Sequence, residues 1–88
     1  MRRTVTFSPA ALAELLDALD WYETQEVDAA VRRIADNPIQ FPAVHRDVRR
    51  ARLRRFPYAL FFRVGDRDVQ VIACFHSNRD PRRWQRRV

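Results

Sequence analysis

Eighty-eight residues, 47% of them apolar, can fill one two-layer core and not two, so a single domain over residues 1–88 is expected. One cysteine, Cys74, excludes an internal disulfide and a multi-cysteine zinc site, and a lone glycine, Gly65, excludes a glycine-rich phosphate loop. The net charge of +6 is split along the chain: positions 8–38 hold seven acids against Arg32 and Arg33, and positions 39–88 hold thirteen arginines against four aspartates. The second half is therefore expected to draw a polyanion or an acidic protein surface.

In chain order, the leading MRRTVTFSPA lacks the apolar core of a secretory signal, and no run approaches the roughly 18 apolar residues of a membrane span. A soluble, cytoplasmic protein without a membrane partner is expected. TVTF (4–7) alternates β-branched and aromatic residues and predicts a short strand. Ser8-Pro9 supplies a helix N-cap followed by proline at the first helical position. Leu12, Leu15, Leu16, Leu19 and Tyr22 then share a helical stripe that leaves out Glu14, Asp17 and Asp20; Trp21 points away from it. A second helical pattern, Val27, Ala30, Val31, Ile34 and Ala35, ends at Asp36-Asn37-Pro38. ETQE (23–26) between them holds no glycine, proline or asparagine to turn the chain. One helix over residues 9–37 would run roughly 43 Å at ~1.5 Å per residue, overshooting strands of about 20 Å, so two helices joined by a very short connection are expected unless further residues belong there.

IQFPAVHRD (39–47) predicts a proline-punctuated loop. VRRARLRRF (48–56) alternates, with Arg50, Arg52 and Arg54 on one side and Arg49, Ala51, Leu53 and Arg55 on the other, as in an arginine-lined strand near a sheet edge. YALFFRV (58–64) is apolar on both sides, the pattern of a central strand covered twice. GDRD (65–68) predicts a tight hairpin turn. VQVIACF (69–75) places Val69, Val71, Ala73 and Phe75 on one face, with Gln70, Ile72, Cys74 and His76 on the other. HSNRDPRRWQRRV closes the chain as a polar tail with Trp84 its one large apolar group. The order strand, helix, helix and three antiparallel strands predicts an α+β fold with both helices on one sheet face. The opposite face would carry Phe61, Arg63, Ile72, Cys74 and His76, an apolar surface rimmed by charge and suited to docking.

Chemistry-bearing patterns are sparse. His45 and His76 stand alone without metal-ligand spacing, and no metal or cofactor is expected. Ser77 follows His76, and neighbours on a strand point to opposite faces. A metal-free ribonuclease site would have Arg52, Arg54, His76 and Arg79 to draw on. Arginine, with a pKa above ~12, is a poor proton acceptor, and no lysine or C-terminal tyrosine replaces it. Stacking aromatics are missing between residues 48 and 55, which favours a protein partner over RNA for the arginine strand.

The blocks FSPAALAELLDALDWY (7–22), IADNPIQFP (34–42), VRRARLRRFPYALFFRV (48–64) and VIACFHSNRDPRRW (71–84) together resemble the RelE/ParE superfamily of type II toxins, in its ParE-like branch. The last two are the most specific. The resemblance implies a β-α-α-β-β-β fold with a helical hairpin on one face of a mainly antiparallel sheet. It further implies a hetero-oligomer with a ParD-like antitoxin, and inhibition of DNA gyrase as the activity behind growth arrest and plasmid stabilisation, without enzymatic turnover or required contact with nucleic acid. Antitoxin contact is expected at Arg50, Arg52, Arg54, Phe61 and Arg63, and target contact at Arg79, Arg82, Arg83 and Trp84. The alternative is the RelE-like branch, ribosome-dependent messenger RNA endoribonucleases that commonly use a C-terminal tyrosine. Trp84 stands where that group would be sought. The chain also departs from the family between Gln25 and Glu26, where relatives usually carry about a dozen more residues in their helical hairpin.

Overall fold

The computed structural model describes residues 3–19, 24–55, 57–76 and 80–88. Trp21, Tyr22, Phe56, Ser77 and Arg79, to which the sequence assigned places or roles, lie outside the described residues.

The elements run β1 (Thr4–Phe7), α1 (Pro9–Leu19), α2 (Thr24–Asp36), a single 3-10 turn (Pro38–Gln40), β2 (Ala43–His45), β3 (Val48–Arg52), β4 (Tyr58–Val64), β5 (Asp68–His76) and α3 (Arg82–Gln85). The sheet order is β1-β5-β4-β3-β2. β1 lies parallel to β5, and the other neighbours are antiparallel. The fold is thus α+β, helices on a mixed sheet of five strands. Two elements were illegible in the sequence: β2, inside the expected loop, and α3, inside the expected polar tail.

Local chemistry sets the boundaries. The Ser8 hydroxyl accepts the Ala11 N–H at 3.2 Å and the Ser8 carbonyl accepts the Leu12 N–H at 2.9 Å, so Ser8 caps α1 with Pro9 inside the first turn. Helical structure covers Pro9–Leu19 and Thr24–Asp36, and the short connection expected between the two helices lies outside the described residues. α1 lies over β5 and β1, while α2 reaches β1 and β3. The buried face of α1 is Ala11, Leu15 and Ala18, not the whole expected stripe; Leu12 and Leu16 remain 45% and 56% exposed. Small alanines let the helix sit close to the sheet, and the flanking leucines are left in solvent.

Two cores result, one on each sheet face. The helix side gathers Leu15, Ile34, Leu53, Leu60, Phe62, Val69, Val71 and Cys74. The other side gathers Val48, Ala59, Phe61, Ile72, Ala73, Phe75 and Trp84. This corrects the expected facing of β5. Phe61 pairs with Ala73 while Phe62 pairs with Val71, so Ile72 is an extra residue on β5. Such a bulge puts Ile72 and Ala73 on the same face and reverses the alternation beyond. Cys74 therefore turns toward the helices, and Ala73 and Phe75 turn away from them. The expected open docking face is also corrected: α3 lays Trp84 over it.

Among the described residues Phe62 is the largest fully buried side chain. Phe62→Ala should lower the free energy of unfolding by about 3–5 kcal/mol, whereas Leu16→Ala should change it by no more than about 0.5 kcal/mol. Denaturant titration of both variants checks the contrast.

Candidate functional site

β3 sorts its arginines by parity. Arg49 faces the helix side, where its guanidinium donates to the Phe41 carbonyl at 2.6 Å and to the Ile39 carbonyl at 3.4 Å; it ties strand to loop. Arg50 faces the other side and lines a cavity of about 250 Å³ with Val44, Phe61, Phe75, His76 and Trp84. Arg52 closes β3 in solvent, and Arg54 sits exposed in the bend beyond. Among the described residues no hydrogen bond or ion pair engages the guanidinium of Arg50, Arg52 or Arg54.

The cavity owes its floor to the C-terminal turn. The Asp80 carboxylate accepts the Arg82 backbone N–H at 3.0 Å and the Arg82 Nε–H at 3.0 and 3.2 Å. This side-chain turn starts α3 just after Pro81, and the Arg82 hydrogen bonds hold the Asp80 carboxyl below its ordinary value. α3 then presents Trp84, stacked on Phe61 with ring centroids 4.3 Å apart and planes at 27°. His45 meets the same indole edge-on at 5.7 Å. Phe61 is 6% and Trp84 3% exposed; these are the rings expected to contact an antitoxin and a target respectively, and they cover much of each other.

The tail is fastened at its end. Arg87 grips Glu14 through two bonds of 2.9 Å and donates to the Ile72 carbonyl at 2.8 Å. Glu14 also accepts the Cys74 N–H at 3.1 Å. Beyond Phe7, where β1 ends, these two side chains occupy backbone groups of β5 that a neighbouring strand would otherwise bind.

The remaining expected site residues are dispersed. Arg63 is exposed, bonded to Asp47 at 3.0 Å and registered against Gln70 near the hairpin. Arg83 stands 6.0 Å over the Phe75 ring, and Arg82 is held by Asp80 at 2.9 Å. Of the ribonuclease candidates, Arg52 and His76 lie toward the same end of the sheet, with Arg52 opposite Ala59 and His76 opposite Tyr58. The Tyr58 and His76 rings meet edge-on at 5.4 Å. Tyr58, Glu14 and Arg87 were missed as site residues because nothing in their local pattern separates them from ordinary strand, helix and tail positions.

The chain is matched over residues 5–81 by the family described as the ParE toxin of the type II toxin-antitoxin system parDE. It belongs to the ParE toxin family. The fold is similar to that of a solved chain from the chromosomal ParDE TA system of P. aeruginosa, with a TM-score of 0.72 at 20% identity over 85% of this chain and 96% of that one. No curated protein matches it. Among the described residues no helix is long and apolar enough to cross a membrane, and no group of three metal-ligating side chains occurs.

Burial, with a smaller contribution from the Glu14 charge, pushes the Cys74 thiol from 9.0 up to about 12. The folded state thus keeps the proton longer than the unfolded state. This contribution to stability is fully present below 9.0 and is lost as pH rises toward about 12. Denaturant midpoints should fall over that window more steeply in the native chain than in Cys74→Ala, and equal slopes would contradict the assignment.

Proposed function

We propose that the protein is a toxin that arrests growth by binding DNA gyrase, and that a ParD-like antitoxin silences it by forming a hetero-oligomer with it. The family match over residues 5–81 carries this reading. The distribution of charge supports it: exposed or half-buried Arg50, Arg52 and Arg54 line one end of the sheet and have no internal acid to neutralise them among the described residues. A cationic edge of this kind accelerates and orients docking of an acidic segment. Arg50, Arg52 and Arg54 are the proposed antitoxin contacts, and Arg63 extends them toward the hairpin. Arg82 and Arg83, on the outside of α3, are the proposed target contacts together with Arg79, and Trp84 and Phe61 hold the surface in shape from beneath.

The chemistry at hand favours gripping over turnover. Cys74 is buried and kept protonated, and arginine cannot serve as a proton acceptor near neutral pH. The Tyr58–His76 contact is the feature that would serve the alternative, a RelE-like endoribonuclease, in which His76 and Tyr58 would move protons while Arg52 and Arg54 held phosphate.

Purified protein should inhibit gyrase supercoiling and leave messenger RNA on translating ribosomes intact; cleaved message with unimpaired gyrase would overturn the reading in favour of the alternative. Charge reversal at Arg50, Arg52 and Arg54 together should weaken antitoxin binding at least about tenfold, or about 1.4 kcal/mol, and flatten its salt dependence. Calorimetry at two ionic strengths checks both effects, and unchanged affinity would remove the arginine strand from the interface.

A further inference from the structure

The cavity beside Arg50 is more specific than a cationic surface. Its walls are Phe61, Phe75 and Trp84, and its polar rim is Arg50, His76 and Gln85. The neighbouring arginines are occupied: Arg49 by loop carbonyls, Arg63 by Asp47, Arg82 by Asp80 and Arg87 by Glu14. Arg50 is half-buried and, among the described residues, has no acid or carbonyl on its guanidinium. A partly desolvated cation without a counter-ion is a costly arrangement that a bound anion relieves.

We propose that this cavity is a socket for a single carboxylate side chain, an aspartate or glutamate carried by an extended acidic segment of the neutralising partner. The identity of that partner rests on the function proposed above; the socket itself rests on geometry. The guanidinium fork of Arg50 pairs with both carboxylate oxygens, and the acid's methylene stem lies against Phe61 and Trp84. Size selects the occupant: about 250 Å³ falls below the roughly 300–1,000 Å³ of pockets that enclose whole small molecules, and suits one side chain entering from a surface-bound chain. Ring geometry selects against a nucleobase. Phe61, Phe75 and Trp84 are 6%, 6% and 3% exposed, and the faces of Phe61 and Trp84 are stacked together, so no open π face is offered for stacking. Arg52, two residues along the same strand face, and Arg54 in the bend continue the cationic track for further acids of the same segment.

The test is a nitrogen-15 NMR titration of the full chain with a short acetylated, amidated peptide alternating glutamate with leucine. Its glutamine analogue and an oligouridylate serve as comparators. Saturable shifts of the Trp84 indole N–H, the Gln85 side-chain amide and Arg50 Nε are expected with the acidic peptide. They should be absent with the glutamine analogue and weakened at least about tenfold in Arg50→Gln, whose unchanged spectrum elsewhere certifies its fold. Arg50→Lys should restore only part of the affinity, because an ammonium cannot pair with both oxygens. Peptide shifts that survive Arg50→Gln, or saturation of these resonances by oligouridylate alone, would overturn the socket. A ParD-like protein separates the two levels of the claim. If it binds wild type and Arg50→Gln equally tightly, the socket falls and the proposed function stands. If it binds neither while the peptide titration succeeds, the socket stands and the partner assignment falls.

Discussion

The structure depends on a sheet that is apolar on both sides. β4 and β5 bury Leu60, Phe62, Val69 and Val71 toward the helices, and Ala59, Phe61, Ala73 and Phe75 away from them. A second apolar face left wet would lose roughly 25 cal/mol for each Å² not removed from water, so the chain must supply a second cover. Among the described residues the largest piece of that cover is the Trp84 indole, with Val44 and Val88 beside it. A tryptophan buries about 150–250 Å², and Trp84 does so from a helical segment only four residues long. The short α3 and its Asp80-Pro81 start make sense as the means of aiming that ring.

A cover so small needs fastening, and Arg87 provides it. Its ion pair with Glu14 is partly sheltered and two-pronged, which gives it more weight than the exposed Arg63–Asp47 and Arg82–Asp80 pairs. The same pair meets the Ile72 carbonyl and the Cys74 N–H, at the point where the bulge reverses β5. One cluster therefore satisfies a strand edge, anchors the tail and holds Trp84 over Phe61. The Arg50 cavity forms between this cover and the strand edge, which joins the stability of the tail to the shape of the proposed partner site.

Much of this was legible in the sequence. Ser8-Pro9, the helical periods, the β3 alternation, the apolar β4 run and the Gly65 turn each carry a local signal, and together they predict the α+β order that is observed. The bulge carries none: Val71 through Phe75 is apolar at every position, so either phase of the strand buries apolar side chains and periodicity cannot choose between them. The exposed side of α1 was overlooked because leucines outweigh alanines in any hydrophobic count, although the alanines make the closest approach to the sheet. β2 is three residues long and α3 four, too short for a period. The arginine strand was recognised as a cationic edge, but which of its members is tied inward and which lines a cavity is decided by tertiary contacts with Phe41 and Trp84.

The account stands on Trp84 closing the second sheet face in the free protein. Aromatic proton NOEs measured without any partner test this most directly. Cross-peaks from the Trp84 indole to the Phe61 and His45 rings, with an indole resonance displaced by ring currents, are the predicted result. A Trp84 signal at its solvent-exposed position with no contact to Phe61 would show the face uncovered and contradict the account.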